Sequence, residues 1–143
     1  MVSIYDQIKR HEGLRLKPYK CTAGKTTIGY GRNLDDVGIS EQIAELMLID
    51  DVMEASVSIN NVFEFDINKI REYFPGNSYV ALIDMMFNLG ETRFRGFNKM
   101  IEAVKNGDWE EAARQAEDSK WFSQVGERGK TIVAQLRDAA NKS

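Results

Sequence analysis

The stretch Tyr79–Leu89, YVALIDMMFNL, constrains what this chain can fold into more than any other segment. It is apolar nearly all round, Ser78 stands where a helix N-cap belongs, and Gly90 follows as a natural stop. A bilayer span needs about twenty such residues, so the apolar surface of this short helix has to be covered by protein. The stretch is therefore predicted to be the buried central helix of a helical lobe. At 143 residues and 43% apolar, the chain has the material for that core. Only Pro18 and Pro75 restrict helix formation.

Upstream, Ser3 is placed to cap a first helix with Ile4, Ile8 and His11 at helical spacing. Gly13 stops it and leaves Glu12 at the helix end, where the chain turns. The period then changes. Leu14, Leu16 and Tyr19 alternate with Arg15 and Lys17, Ala23-Gly24-Lys25 reads as a turn, and Thr26-Thr27-Ile28 has strand propensity. Residues 14–31 are thus expected to form a small antiparallel sheet, with Gly29 and Gly31 marking a bulge or close backbone approach.

Ser40 caps a long helix from about Glu41 to Ile59, for which Asn60 and Asn61 are the expected terminators. A shorter helix is predicted over Asp66–Tyr73, before the turn Pro75-Gly76-Asn77. Glu91-Thr92 reads as a turn, and helices follow over Phe97–Asn106, Trp109–Glu117 and Glu127–Ala140, the second opened by Asp108 with Glu111. Trp109 and Trp121 are expected in the core. The fold class is α+β, as one domain over 1–143: an N-terminal helix and β lobe (1–40), a connecting helix (41–60) and a helical lobe (61–143).

Charge is unevenly spread over a net −3: residues 1–34 carry a balance of +5, residues 35–78 of −8, and the rest is neutral. The basic first segment could attract an anionic polymer, or be an ordinary solvated surface. A nucleic-acid binder shows an overall basic surplus, which is missing, so no nucleic acid is expected as partner. One cysteine, Cys21, rules out an intramolecular disulfide, and with a single histidine it cannot make an ordinary zinc site, so neither metal nor cofactor is expected. Gly24-Lys25-Thr26 is not the end of a phosphate-binding loop, because Tyr19 occupies the place of its first glycine. Asp6, Gln7, Lys9 and Arg10 stand where a signal peptide needs its apolar segment, so no export signal is expected.

Glu12, eight residues, Cys21, five residues and Thr27 then form a spaced set, embedded in Glu12-Gly13-Leu14-Arg15-Leu16-Lys17, Tyr19-Lys20 and Thr27-Ile28-Gly29-Tyr30-Gly31. Farther on stand Ala81-Leu82-Ile83, Phe87-Asn88-Leu89-Gly90-Glu91-Thr92, Gly96-Phe97, Trp109-Glu110-Glu111-Ala112-Ala113 and Ser119-Lys120-Trp121. Nearly the whole chain in this way resembles the phage-type lysozymes, glycoside hydrolase family 24, with their Glu–Asp/Cys–Thr spacing. The resemblance implies a lysozyme-like fold and an endolysin. Its activity would be hydrolysis of the β-1,4 bond between N-acetylmuramic acid and N-acetylglucosamine in bacterial peptidoglycan.

By that resemblance Glu12 is the general acid, a role that partial desolvation of its carboxyl would favour. Cys21 departs from the commoner aspartate. A free thiol, with a pKa near about 8.5, is only a few per cent thiolate at pH 7. Lys20 and Lys25 nearby would raise that fraction and an ionised Glu12 would lower it. Three roles stay open: base or electrostatic partner, covalent nucleophile, or packed bystander. Thr27 resembles the residue that positions the attacking water opposite Glu12, which implies inversion. For inversion the two catalytic groups stand about 6.5–9.5 Å apart in two-carboxylate enzymes. Asn33, Phe87, Met100 and Gln115 are the implied sugar contacts, although Phe87 is equally a core residue.

The partner implied is peptidoglycan, with no stable membrane insertion and a monomer expected. An antimicrobial bacteriophage enzyme of this kind would wait in the host cytoplasm and reach the periplasm and cell wall through a holin-opened membrane during host cell lysis. Competing classes are a lysozyme-fold protein that binds peptidoglycan without cutting it, a lytic transglycosylase, and a cysteine hydrolase pairing Cys21 with His11.

Overall fold

A computed structural model describes residues 1–143 as two compact units, Met1–Met47 and Leu48–Ser143. The division falls inside one long helix.

The first unit opens with α1 (Ile4–Glu12). Ser3 caps it by accepting the Asp6 N–H, and Gly13 ends it at φ 71° with its N–H returned to the Lys9 carbonyl. Three strands follow, β1 (Arg15–Lys20), β2 (Thr26–Gly29) and β3 (Arg32–Asn33), in the order β1-β2-β3 and antiparallel throughout. Tyr19 lies opposite Thr27, and Thr27 in turn opposite Asn33. The β1–β2 register shifts between Arg15 and Tyr19, around Pro18, which has no N–H to give to a ladder. A single turn, α2 (Leu34–Val37), is capped by Asn33. Neither β3 nor α2 is legible from spacing, because two and four residues are too few to show a period.

α3 (Glu41–Phe63) starts at Ser40, whose hydroxyl accepts the Ile43 N–H. It does not stop at Asn60 and Asn61 as expected. Asparagine costs a helix only a few tenths of a kcal/mol, whereas the extra turn buries Val62 and Phe63 in the core, each worth about 1.5–3 kcal/mol. Glu64 then breaks the helix in the left-handed region, at φ 50°.

The second unit is helical throughout. The helix expected over Asp66–Tyr73 is split into a 3-10 turn, Ile67–Lys69, and α4 (Ile70–Tyr73). The central α5 (Ser78–Leu89) buries Ala81, Leu82, Met85, Met86 and Leu89. Ser78 is its first residue rather than its cap, buried with its hydroxyl donating to the Pro75 carbonyl at 2.7 Å. α6 (Glu91–Arg95) replaces the expected turn, because folding it as a helix seats Phe94 in the core. α7 (Asn98–Lys105) and α8 (Trp109–Glu117) follow, the latter capped by Asp108. α9 (Lys120–Val125) starts at Ser119, and α10 (Glu127–Ala139) closes the chain.

α10 packs against both α5 and α8, burying Ile132, Val133, Leu136 and Ala139. The facing stripe of α8, Ala112, Ala113 and Ala116, is small enough to bring the helices close. Both tryptophans are in this core, at 2% and 4% exposure, and the Trp121 indole donates to Asn88 at 2.8 Å. Gly129 is tightly packed: a methyl group there would lie 3.0 Å from the Phe122 ring, closer than ordinary van der Waals contact. Phe94 is fully buried, with its ring edge-on to Phe63 at 6.2 Å. Truncating it leaves a cavity as well as lost transfer energy, so Phe94→Ala should cost about 3–5 kcal/mol, read as a lowered urea midpoint in far-UV circular dichroism.

Candidate active site

Glu12, Cys21, Thr27 and Asn33 all fall in the first unit. Glu12 is the last residue of α1, exposed, and its carboxyl lies against the backbone of Gly31 in the β2–β3 turn. A methyl group built on Gly31 would sit 2.5 Å from Glu12 Oε2 and 2.8 Å from its carboxyl carbon. Gly31 has φ 77°, so this turn asks for glycine twice over, for its backbone and for the acid it touches. The desolvation expected for the carboxyl is not supplied in the free protein.

Cys21 opens the turn between β1 and β2. Its N–H donates to the Lys25 carbonyl at 3.0 Å, and its carbonyl accepts the Gly24 N–H at 2.8 Å. The backbone N–H of Lys25, and after it that of Ala23, hydrogen-bonds the sulfur and holds the thiol below its ordinary range. Partial burial opposes this. The Lys20 and Lys25 side chains, expected to do this work, are engaged elsewhere. Lys20 donates to Thr26 Oγ1 at 2.6 Å and Lys25 to Asp36 at 3.1 Å.

Thr27 is the one buried residue of the first unit, at 3% exposure. Its hydroxyl donates to the Lys25 carbonyl at 2.9 Å. One carbonyl oxygen therefore receives both the Cys21 N–H and the Thr27 hydroxyl. With its hydrogen directed there, Thr27 Oγ1 keeps its lone pairs for an incoming donor.

Asn33 is mainly a cap. Its Oδ1 accepts the Asp36 N–H at 3.1 Å and its Nδ2 donates to the Asp36 carboxylate at 2.8 Å, which leaves one N–H and one lone pair of its amide for a sugar. The other three expected contacts lie in the second unit. Phe87 is 41% exposed on α5, with the Arg128 guanidinium 6.0 Å from its ring centre and Arg128 paired to Asp84 at 2.7 Å. Met100, at 1% exposure, belongs to the core, as its unbranched apolar chain favours, and it also lines the surface depression that Gln115 lines. Gln115 lines a surface depression with Phe97, Asn98, Lys99 and Ser119. Its amide donates to Glu111 at 2.7 Å, which leaves its carbonyl oxygen open.

Sequence reading missed Asp35. Its carboxylate accepts the Thr26 N–H at 2.7 Å. Because of that bond, and then the Lys20 and Lys25 charges, its carboxyl is held below the usual range. Its place two residues after Asn33, a cap residue, was the available signal.

A helix ending in a carboxylic acid and laid against a small antiparallel sheet, in a chain whose second unit is mainly helical, defines a lysozyme-like α+β protein. The family model described as Phage lysozyme matches residues 9–139. An endolysin of Acyrthosiphon pisum secondary endosymbiont phage 1 is 36% identical over 118 residues, covering 80% of this chain and 73% of that protein. A probable T4-type lysozyme of Dictyostelium discoideum is 25% identical over 156 residues, covering 92% of each chain. An endolysin of Bacillus phage B103 is 31% identical over 125 residues, covering 83% of this chain and 44% of that protein. The chain belongs to the phage lysozyme family.

Two outcomes are expected from this geometry. Gly31→Ala should lower murein turnover by about 10²-fold through displacement of the acid. Gly29→Ala, with similar backbone strain at φ 70° but no atom within 4 Å of the new methyl, should leave turnover nearly intact. Equal losses in the two variants would assign the effect to backbone strain. Separately, the rate of iodoacetamide reaction at Cys21, the only thiol, should rise with pH through a midpoint below the value of about 8.5 for a free cysteine.

Proposed function

We propose that this lysozyme is an endolysin that hydrolyses the β-1,4 bond between N-acetylmuramic acid and N-acetylglucosamine in bacterial peptidoglycan, with Glu12 as acid, Cys21 as base and Thr27 as the holder of the attacking water. The observation that carries the assignment is the shared Lys25 carbonyl, which gives the Cys21 backbone N–H and the Thr27 hydroxyl one common anchor.

In this mechanism Glu12 gives its proton to the bridging oxygen as the bond to the anomeric carbon breaks. A water molecule donates one hydrogen bond to Thr27 Oγ1 and attacks that carbon from the opposite face. The Cys21 thiolate takes the proton the water loses. Two sugar ends result: a free 4-hydroxyl on N-acetylglucosamine and a reducing N-acetylmuramic acid of inverted configuration. Solvent then returns a proton to Glu12 and removes one from Cys21. The free carboxyl is exposed, so the bound glycan itself must exclude water around it. Backbone hydrogen bonds to the sulfur favour the thiolate that a base requires.

Phe87 and Gln115 are proposed as sugar contacts, with Asn33 limited to whatever its capping role leaves. The reading also carries a monomer that waits in the host cytoplasm and reaches the wall through a holin lesion. No helix is long and apolar enough to cross a membrane.

Glu12→Gln should reduce reducing-end release from purified murein by about 10²–10⁴-fold. Undiminished release would remove the assignment. A base must be deprotonated to act, so activity should rise with pH through the Cys21 titration. In Cys21→Asp that rising limb should move to the carboxylate range, near about pH 4. Cys21→Ala should lose most turnover; full activity in it would make the sulfur a bystander. Proton NMR of the first product should show the α-anomer, whereas retained β would point to a covalent intermediate on sulfur.

A further inference from the structure

The Lys25–Thr26 peptide group links Asp35 to both residues proposed to handle water. Its carbonyl end accepts the Cys21 N–H at 3.0 Å and the Thr27 hydroxyl at 2.9 Å. Its N–H end donates to Asp35 Oδ2 at 2.7 Å. In a trans peptide those two ends point in opposite directions within one rigid plane, so whatever holds the N–H fixes the direction of the carbonyl.

The sheet by itself cannot hold that N–H. The β2–β3 register pairs Ile28 with Arg32 and Thr27 with Asn33, and the next rung would place Leu34 opposite Thr26. Leu34, however, is already the first residue of α2, so the strand ladder ends one rung short. The Asp35 carboxylate takes the vacant position.

The turn that carries Asp35 is secured at three points. Asn33 caps it. Arg32 donates to the Gly38 carbonyl at 3.0 Å, at the far end of α2. Lys25 Nζ bonds the neighbouring Asp36 at 3.1 Å. An anion on the N–H end also polarises the peptide and strengthens the carbonyl as an acceptor.

We propose that Asp35 is a positioning residue of the active site. Through the Lys25–Thr26 peptide it sets where the Cys21 sulfur and the Thr27 hydroxyl stand. The activity readout below rests on the function proposed for those two residues, whereas the thiol and amide readouts do not.

Asp35→Ala and Asp35→Asn separate position from charge. Removing a nearby anion would by itself make a thiolate easier to form and move the thiol titration down. Losing the anchor instead lets the Lys25 and Ala23 N–H donors drift from the sulfur and moves it up. In Asp35→Ala, iodoacetamide titration of Cys21 should therefore shift toward the free-thiol value, and murein kcat should fall at least about tenfold with KM little changed. Asp35→Asn keeps an acceptor for the Thr26 N–H, so it should recover most of kcat and titrate at or below the wild-type thiol. A thiol in Asp35→Ala that titrates at or below wild type, with kcat within twofold, would overturn the proposal. If the thiol shifts but kcat does not, the positioning stands and the role proposed for Cys21 fails.

A measurement on the unaltered protein guards against a variant that does not fold. The Thr26 amide proton should move in NMR as Asp35 takes up a proton, with a midpoint below the ordinary aspartate range. A Thr26 amide indifferent to acid would overturn the proposal equally.

Discussion

The need to cover α5 organises the larger part of this molecule. Its inward stripe, Ala81, Leu82, Met85, Met86 and Leu89, is at most 8% exposed, and no side chain of α5 could have provided that cover itself. α10 supplies part of it from nearly fifty residues later, and α8 backs α10 with a stripe of alanines. Phe63 and Phe94 close the same core from α3 and α6. Local preferences give way to this demand at several points. α3 runs past two asparagines and Glu91-Thr92 folds into a helix, because a buried aromatic outweighs a few tenths of a kcal/mol of helix propensity.

The first unit is held by different means. Thr27 is its only buried residue, so burial contributes little to its shape. Ladder hydrogen bonds, two glycine turns at positive φ and side-chain-to-backbone bonds from Asn33, Asp35 and Thr27 define it instead. Such bonds are directional where apolar contacts are not. A unit built from them can gather the Cys21 N–H and the Thr27 hydroxyl around one oxygen atom, which a loosely defined apolar surface could not. The mechanism proposed for this lysozyme asks for that kind of placement, since in it an attacking water has to meet one carbon from one side.

Much of the chain could be read without a fold. Capping residues are local, so Ser3, Ser40 and Asp108 were identifiable from their neighbours, and each accepts an N–H three residues on. The change from helical to strand spacing at Gly13 marked the acid at a helix end. Other features were not legible. Two-residue β3 and four-residue α2 are too short to carry a period. Met100 was a contact implied by resemblance, and its burial depends on helices whose packing no single segment shows. Asn33 carried the polar group suited to a sugar, but Asp36 uses one of its donors and one of its lone pairs.

Sequence alone determined which side chains are available and where the helices begin, because those properties depend on residues within a turn or two of each other. It also carried the family membership, through motifs spread along the whole chain. The tertiary structure decided which groups meet. That a carbonyl at residue 25 gathers Cys21 and Thr27, and that Asp35 holds the other end of the same peptide, follows from a strand register that stops one rung early. Register and its termination are set by how strands and turns pack together, and no single segment encodes them.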